Sequence, residues 1–203
     1  MILEQLKLGP LDNFVYLIGD PATAKGAVVD PGWDMDLVLR TAEQRGFEIT
    51  HALITHSHPD HIQGIGELVR RVGARVAMHK VAPLGKDDGV DEGDVLRIGS
   101  LDVQVMHTPG HLSDSVCYLV EGHIFTGDTL FVGECGRTDF AGGSSELLYD
   151  SLMRLRDLPP EIVICSGHDY GKTPLSIIGD EQCANYTVQD RTREEFVRFM
   201  REP

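Results

Sequence analysis

The run Thr55-His56-Ser57-His58-Pro59-Asp60-His61 sets three imidazoles and a carboxylate within six residues. Imidazole nitrogen and carboxylate oxygen are the donors that borderline divalent ions prefer. Four such groups directly after the apolar stretch ending at Ile54 would crowd one another unless a cation drew them together. A polar surface turn is the bland alternative, and it leaves His111, Asp128 and His168 unexplained. Each of these sits in its own turn: Thr108-Pro109-Gly110-His111, Thr126-Gly127-Asp128 and Ser166-Gly167-His168. A glycine before each donor lets the backbone turn tightly and approach a bound ion. Seven donor groups exceed the four of one tetrahedral zinc. They suit two divalent ions, zinc foremost. His56, His58 and His111 would hold one, Asp60, His61 and His168 the other, and Asp128 would bridge. Such ions lower the pKa of a coordinated water toward neutrality and polarise a carbonyl. Asp60, as ligand and proton acceptor, is the candidate catalytic residue.

Donors from four separate stretches converge only if strand ends hold them. Apolar runs bounded by turn residues predict strands over 2–8, 14–19, 26–30, 51–54, 75–79, 95–98, 101–107, 115–120, 123–126 and 162–165. Helical spacing of apolar residues predicts helices over 35–45, 62–72 and 144–155. Gly46 and Gly73 close the first two, and Ser144 or Ser145 caps the third. The tail 193–201 is amphipathic, while 81–94 and 130–143 are expected as loops. Every donor stretch then follows a strand. Asp30 ends its strand before Pro31-Gly32; it is a candidate to orient a ligand imidazole, or simply forms the turn. His51, His79, His107 and His123 are expected to be structural or surface residues. Strands followed by helices in both halves suggest two sheets face to face with helices outside.

The 203 residues suffice for a substantial core, and 1–203 is expected to be one domain. The net charge of −14 opposes binding to nucleic acid or an anionic membrane. No apolar stretch approaches the ~20 residues that span a bilayer, and the start Met1-Ile2-Leu3-Glu4-Gln5 lacks a signal-peptide pattern. A cytoplasmic location is expected. Cys117, Cys135, Cys165 and Cys183 form no Cys-x-x-Cys pair, which argues against a zinc ribbon or redox dithiol. At least three are expected to be reduced, partly buried thiols. Gly-x-Ser-x-Gly is absent, so no serine nucleophile competes with the metal reading.

The ordered set His56-Ser57-His58-Pro59-Asp60-His61, His111, Asp128 and His168 resembles the ligand set of the metallo-β-lactamase superfamily, over essentially the whole chain. The resemblance implies an α+β fold, a four-layer αββα sandwich with the site along one sheet edge. Thr126-Gly127-Asp128-Thr129-Leu130-Phe131, Gly136-Arg137-Thr138-Asp139-Phe140 and Ala141-Gly142-Gly143-Ser144 are similar to the glyoxalase II-related branch. That implies a hydroxyacylglutathione hydrolase-like enzyme cleaving a small thioester or related ester. The branch also holds persulfide dioxygenases, which Cys135-Gly136-Arg137-Thr138-Asp139-Phe140 and His168-Asp169-Tyr170 resemble as well. For that alternative the resemblance implies one non-haem Fe(II) at His56, His111 and Asp128. A lactonase or nuclease ranks lower, the charge opposing the latter. Two departures leave glutathione recognition open. The chain ends before the C-terminal helical domain of long glyoxalase II enzymes. Glu181-Gln182-Cys183-Ala184-Asn185-Tyr186 lacks the arginine and proline of the dioxygenases' Glu-Arg-Thr-x-Asn-Pro.

Arg137, in its glycine-rich loop, is the candidate to pair bidentately with a substrate carboxylate, unless Asp139 engages it. Tyr170 is a candidate pocket wall, and Asp169 a candidate to orient a ligand. The expected partner is a small thioester or thiol-derived molecule, with no nucleic acid and no membrane; a homodimer stays open.

Overall fold

Apolar and β-branched runs pair into two six-stranded sheets, and a computed structural model describes residues 1–201. The first half supplies strands β1 (Ile2–Leu8), β2 (Asn13–Asp20) and β3 (Lys25–Val29), helix α1 (Met35–Arg45) and strand β4 (Glu48–Leu53). A short helix α2 (Pro59–Ile62), helix α3 (Ile65–Val72) and strands β5 (Arg75–His79) and β6 (Asp88–Val90) complete it. These strands lie in chain order; β1 to β3 run antiparallel and β3 to β6 parallel.

The second half opens with β7 (Val95–Ile98), β8 (Leu101–His107), β9 (Val116–Val120) and β10 (His123–Gly127). After the hairpin β11 (Leu130–Phe131) and β12 (Glu134–Cys135) come α4 (Ser145–Arg156), β13 (Val163–Ser166) and β14 (Ser176–Ile177). Helix α5 (Ile178–Ala184), a single 3-10 turn and α6 (Arg193–Arg201) end the described chain. The second sheet has the order β14-β13-β10-β9-β8-β7, with only β10 and β13 parallel. No helix among the described residues is long and apolar enough to cross a membrane.

Side-chain alternation sorts the core into three layers. Tyr16, Ile18, Leu53, Val103, Tyr118 and Phe125 meet between the two sheets. Val15, Leu17, Val28 and Ile54 face the other way, against Val38 and Ala42 of α1 and Leu68 of α3. Ile124 and Ile164 pack outward on Leu148 and Leu152 of α4 and Phe196 of α6. β2 is buried at all eight positions, as befits a strand covered on both faces. Each fully buried aliphatic or aromatic side chain contributes roughly 1.5–3 kcal/mol. The architecture is therefore the α-β-β-α sandwich that the motif resemblance implied.

Direction places the donors. β3 and β4 are parallel, so Asp30 and the stretch after Leu53 leave the first sheet at the same edge. β8 and β10 both run antiparallel to β9, and β13 runs parallel to β10. The chain stretches carrying His111, Asp128 and His168 therefore leave the second sheet at one edge.

The structure departs from the expected elements in four places. The helix expected over 62–72 begins only at Ile65, as α3, set off from the short α2 at Gly64. There the amide donates to the Pro31 carbonyl at 2.9 Å, and a Cβ would lie 2.3 Å from that oxygen. The expected loop 81–94 contains β6, which pairs with β5, and the loop 130–143 contains the hairpin β11–β12. Helix α5, which follows β14, carries no clear apolar period in the sequence. Cys117, Cys135 and Cys165 are buried and Cys183 is exposed, all four unpaired. Burial pushes the first two thiols up to about 12.

Candidate metal centre

Two glycines make the close approach possible. Gly127, at φ +49°, ends β10 in left-handed backbone, where a Cβ would lie 2.3 Å from Thr55 Oγ1. A Cβ on Gly167 would lie 2.5 Å from Asp128 Oδ1, so only glycine lets the β13 edge reach this carboxylate. The seven donors then meet across the two sheets.

They form two groups. His56, His58, His111 and Asp128 offer ligand atoms within 4.8 Å of one another, and Asp60, His61 and His168 do the same. In the first group His58 Nδ1 lies 3.1 Å from His56 Nε2 and 2.9 Å from His111 Nε2. In the second, His61 Nε2 and His168 Nε2 are 3.1 Å apart, with Asp60 Oδ2 3.4 and 3.5 Å away. Asp128 spans both. Its Oδ2 faces His111 at 3.5 Å and His56 at 3.8 Å, while its Oδ1 faces His61 and His168, each at 3.4 Å.

The outward nitrogens fix which atoms point in. His111 Nδ1 donates to the Arg137 carbonyl at 2.7 Å, and His168 Nδ1 donates to the Leu11 carbonyl at 2.8 Å. His61 Nδ1 donates to Asp30 Oδ2 at 3.0 Å. Thr55 Oγ1 gives its proton to the same Asp30 oxygen at 2.6 Å and so accepts from His56 Nδ1 at 3.0 Å. Four imidazoles thereby turn an Nε2 lone pair inward, the arrangement that metal-ligating histidines take from such partners.

Charge and burial agree with this. Burial pushes His56, His58 and His111 down, keeping them neutral ligands. Burial opposes protonation of His61 too, but Asp128, Asp30 and Asp60 outweigh it and raise it to about 9. The second group is thus a strongly negative pocket that favours a cation. Asp128 Oδ1 is buried without a hydrogen-bond partner. Burying a carboxylate oxygen unpaired is costly. Converging lone pairs, a surplus of buried negative charge and this orphan oxygen fit divalent ions at 2.0–2.2 Å from nitrogen and oxygen.

The remaining sequence candidates divide. Asp30 reaches the centre through Thr55 and His61, as above. Tyr170 stacks on His168, ring centroids 4.7 Å apart and 10° from parallel. Arg137 lies at the mouth, exposed and paired bidentately with Asp139 at 2.9 and 2.7 Å, its guanidinium over Phe140. Asp169 does not orient a ligand. Its amide bonds to the Asp12 carbonyl, which turns the carboxylate to Lys7 of β1 at 2.9 Å. One residue absent from the sequence reading enters: Asn13 Nδ2 donates to Asp60 Oδ2 at 2.8 Å, and Trp33 Nε1 donates to Asn13 Oδ1 at 3.1 Å. Asn13 opens β2 directly after Gly9-Pro10-Leu11-Asp12, a stretch whose composition signals only a turn. A cavity of about 1120 Å³ opens over the donors, walled by Phe131, Phe140 and Tyr170, with Tyr186 and Phe199 at its far side.

The family model described as the metallo-beta-lactamase superfamily matches residues 8–168. The chain belongs to this superfamily. A hydroxyacylglutathione hydrolase of Bradyrhizobium sp. (strain ORS 278) is 41% identical over 191 residues, covering 90% of this chain and 74% of that protein. The probable polyketide biosynthesis zinc-dependent hydrolase PksB of Bacillus subtilis (strain 168) is 32% identical, with 92% and 86% covered. The crystal structure of ETHE1 from Myxococcus xanthus superposes with a TM-score of 0.95 at 39% identity, covering 99% of this chain and 90% of that one. Members of this metallo-beta-lactamase superfamily bind metal ions, and this member is a metallo-hydrolase of the glyoxalase II-like branch.

Proposed function

We propose that the protein hydrolyses a small thioester, or a related ester, using two divalent ions. The ions are expected to be zinc, held by His56, His58 and His111, by Asp60, His61 and His168, and by Asp128 between them. The observation that carries this reading is the Asp128 carboxylate, which turns one oxygen to each histidine group. A single ion at His56, His111 and Asp128 would leave Oδ1 facing only His61 and His168, each at 3.4 Å.

When bound, such ions supply Lewis acidity, which activates water and polarises a carbonyl. The chain's own groups position and protect that chemistry. Asn13 holds one oxygen of Asp60, orienting the carboxylate that takes the proton from water. Phe131, Phe140 and Tyr170 wall the acyl group from bulk solvent. Arg137 can leave Asp139 for a substrate carboxylate at little cost, because an exposed pair is worth about 0–1 kcal/mol. A thiolate of pKa ~8.5 leaves without a strong general acid, which suits a site whose imidazoles are taken up as ion ligands.

Likeness to ETHE1, at a TM-score of 0.95 and 39% identity, supports a second reading, an iron persulfide dioxygenase. Elemental analysis of protein from unsupplemented cells, with thioester and persulfide assays, tests both. Two zinc ions and thiol release are expected; one iron and oxygen consumption on persulfide addition would replace the hydrolase reading. The partner is thus a small molecule, and the net charge of −14 supports neither nucleic acid nor an anionic membrane. The proposal includes one domain over 1–203, a cytoplasmic location and, at most, pairing of two copies.

A further inference from the structure

The far side of the cavity is a contiguous wall of its own. Tyr186 and Phe199 pack edge to face, ring centroids 5.2 Å apart, and Cys135 Sγ meets Met200 Sδ at 3.9 Å. The Tyr186 hydroxyl donates to Glu134 Oε1, and all five residues line the cavity.

This wall is held from behind. Asn185 is fully buried, and its Nδ2 donates to the Phe131 and Glu134 carbonyls at 3.2 and 3.1 Å, one on each strand of the hairpin β11–β12. The buried Glu181 accepts from the same amide at 2.9 Å, from the Gly133 amide at 2.7 Å and from the Ser176 hydroxyl at 2.6 Å. Asn185 Oδ1 accepts from the amide and hydroxyl of Thr187 at 2.9 and 2.7 Å. A buried network with its polar atoms paired fixes one geometry. The backbone that carries Glu134 is therefore set in place.

Five charged side chains line the cavity besides the donors: Glu134, Asp139, Glu146, Arg137 and Arg201. Arg137 is paired with Asp139, and the charge of Arg201 acts on Glu146. Glu134 makes no ion pair among the described residues. Arg191, on the same side, is engaged by the Tyr186 carbonyl and the Phe199 ring. The far wall thus presents an unmatched carboxylate, which accepts N–H donors and repels a second carboxylate. Arg137 does not offset it. Its guanidinium lies over Phe140, whose ring centroid is 4.9 and 5.4 Å from those of His58 and His111. A carboxylate taken by Arg137 sits beside the ions.

Resting on the thioester reading of this cavity, we propose that the substrate's thiol arm offers N–H donors to Glu134 and carries no carboxylate there. Glu134 is then the residue that sets specificity. The arm is the amide or the amine of a short aminothiol lying along Tyr186 and Phe199, and glutathione, with a carboxylate at each end, is disfavoured.

Uncleavable thioethers test this. S-octyl derivatives of N-acetylcysteamine, cysteamine and glutathione are titrated into the purified holoprotein by calorimetry. One of the two aminothiol arms is expected to bind at least about tenfold more tightly than the glutathione arm. Which of them does so separates amide from amine. The gap should narrow in Glu134→Gln, which keeps an acceptor for the Tyr186 hydroxyl, and it should narrow as salt screens the repulsion. Equal or tighter binding of the glutathione thioether, binding of none of the three, or a gap untouched by Glu134→Gln would overturn the proposal. Octanoyl thioesters of N-acetylcysteamine and glutathione test the hydrolase reading separately. The expected binding order without thiol release would support this role of Glu134 and strike hydrolysis.

Discussion

Asp30 holds left-handed backbone, φ 50°, and its carboxylate receives the Thr55 amide at 2.7 Å, the Thr55 hydroxyl and His61. A non-glycine residue kept there, beside the donors, is strain tolerated for what the side chain does. Asparagine also adopts this backbone readily, so Asp30→Asn removes the charge with little backbone cost. Metal affinity is expected to fall about 10–100-fold, the usual effect of losing a ligand's outer partner. Competition titration with a chelating dye checks this, and unchanged affinity would remove Asp30 from the centre. His111→Ala should abolish turnover as hydrolase or as dioxygenase, since it strips a donor common to both. His61→Ala should damage hydrolysis more than persulfide oxidation; parallel kinetics and metal counts on both substrates decide it. The seven donors were legible in the sequence because their chemistry lies in residue type and in the glycines beside them. Asn13 was not, because its role arises only when β2 passes under Asp60, 47 positions away.

Elements were legible where one face of a strand or helix is buried against a single partner, as in β8 or α4. They were lost where the tertiary neighbour decides: Gly64 breaks a helical pattern against the Pro31 carbonyl, and Asp88–Val90 becomes a strand only by pairing with β5. Asp20, at the end of β2, shows how such distant contacts join elements. Its carboxylate accepts from Thr23 Oγ1 at 2.6 Å, and from the amide and hydroxyl of Ser100 at 2.7 and 2.8 Å in the turn between β7 and β8. These bonds, Thr23 first, hold its pKa well below the usual carboxylate range. A carboxyl depressed on folding adds stability above its unfolded pKa of ~3.9, and loses it as pH falls through the folded value. Asp20→Asn should therefore melt lower than wild type at pH 7, and the gap should shrink steadily below about pH 4. Thermal melts across that range read it directly; a gap that stays constant into acid would mean that the Asp20 charge does not matter.

At the scale of the molecule, the centre joins two sheets that also meet through their apolar faces and through hydrogen bonds such as those from Ser100 to Asp20 and from Tyr118 to the Ile54 carbonyl. His56, His58, Asp60 and His61 come from the first sheet; His111, Asp128 and His168 come from the second. An ion that binds only when both edges are in place stabilises the native state by mass action. Metal-free protein must instead keep Asp128 Oδ1 buried without a partner and several imidazoles nitrogen to nitrogen. At a free ion concentration 100–1,000 times the dissociation constant the linkage is worth about 2.7–4.1 kcal/mol. For a chain of this length that corresponds to a Tm shift of about 5–15 °C. Dialysis against a strong chelator is expected to lower Tm by that amount, and zinc to restore it. The shift should shrink in His111→Ala, which can no longer connect β8 to the first sheet through an ion. Holo and chelated protein that melt together would show the sandwich closing without its ions, with His61, raised to about 9, supplying the positive charge beside the buried Asp128.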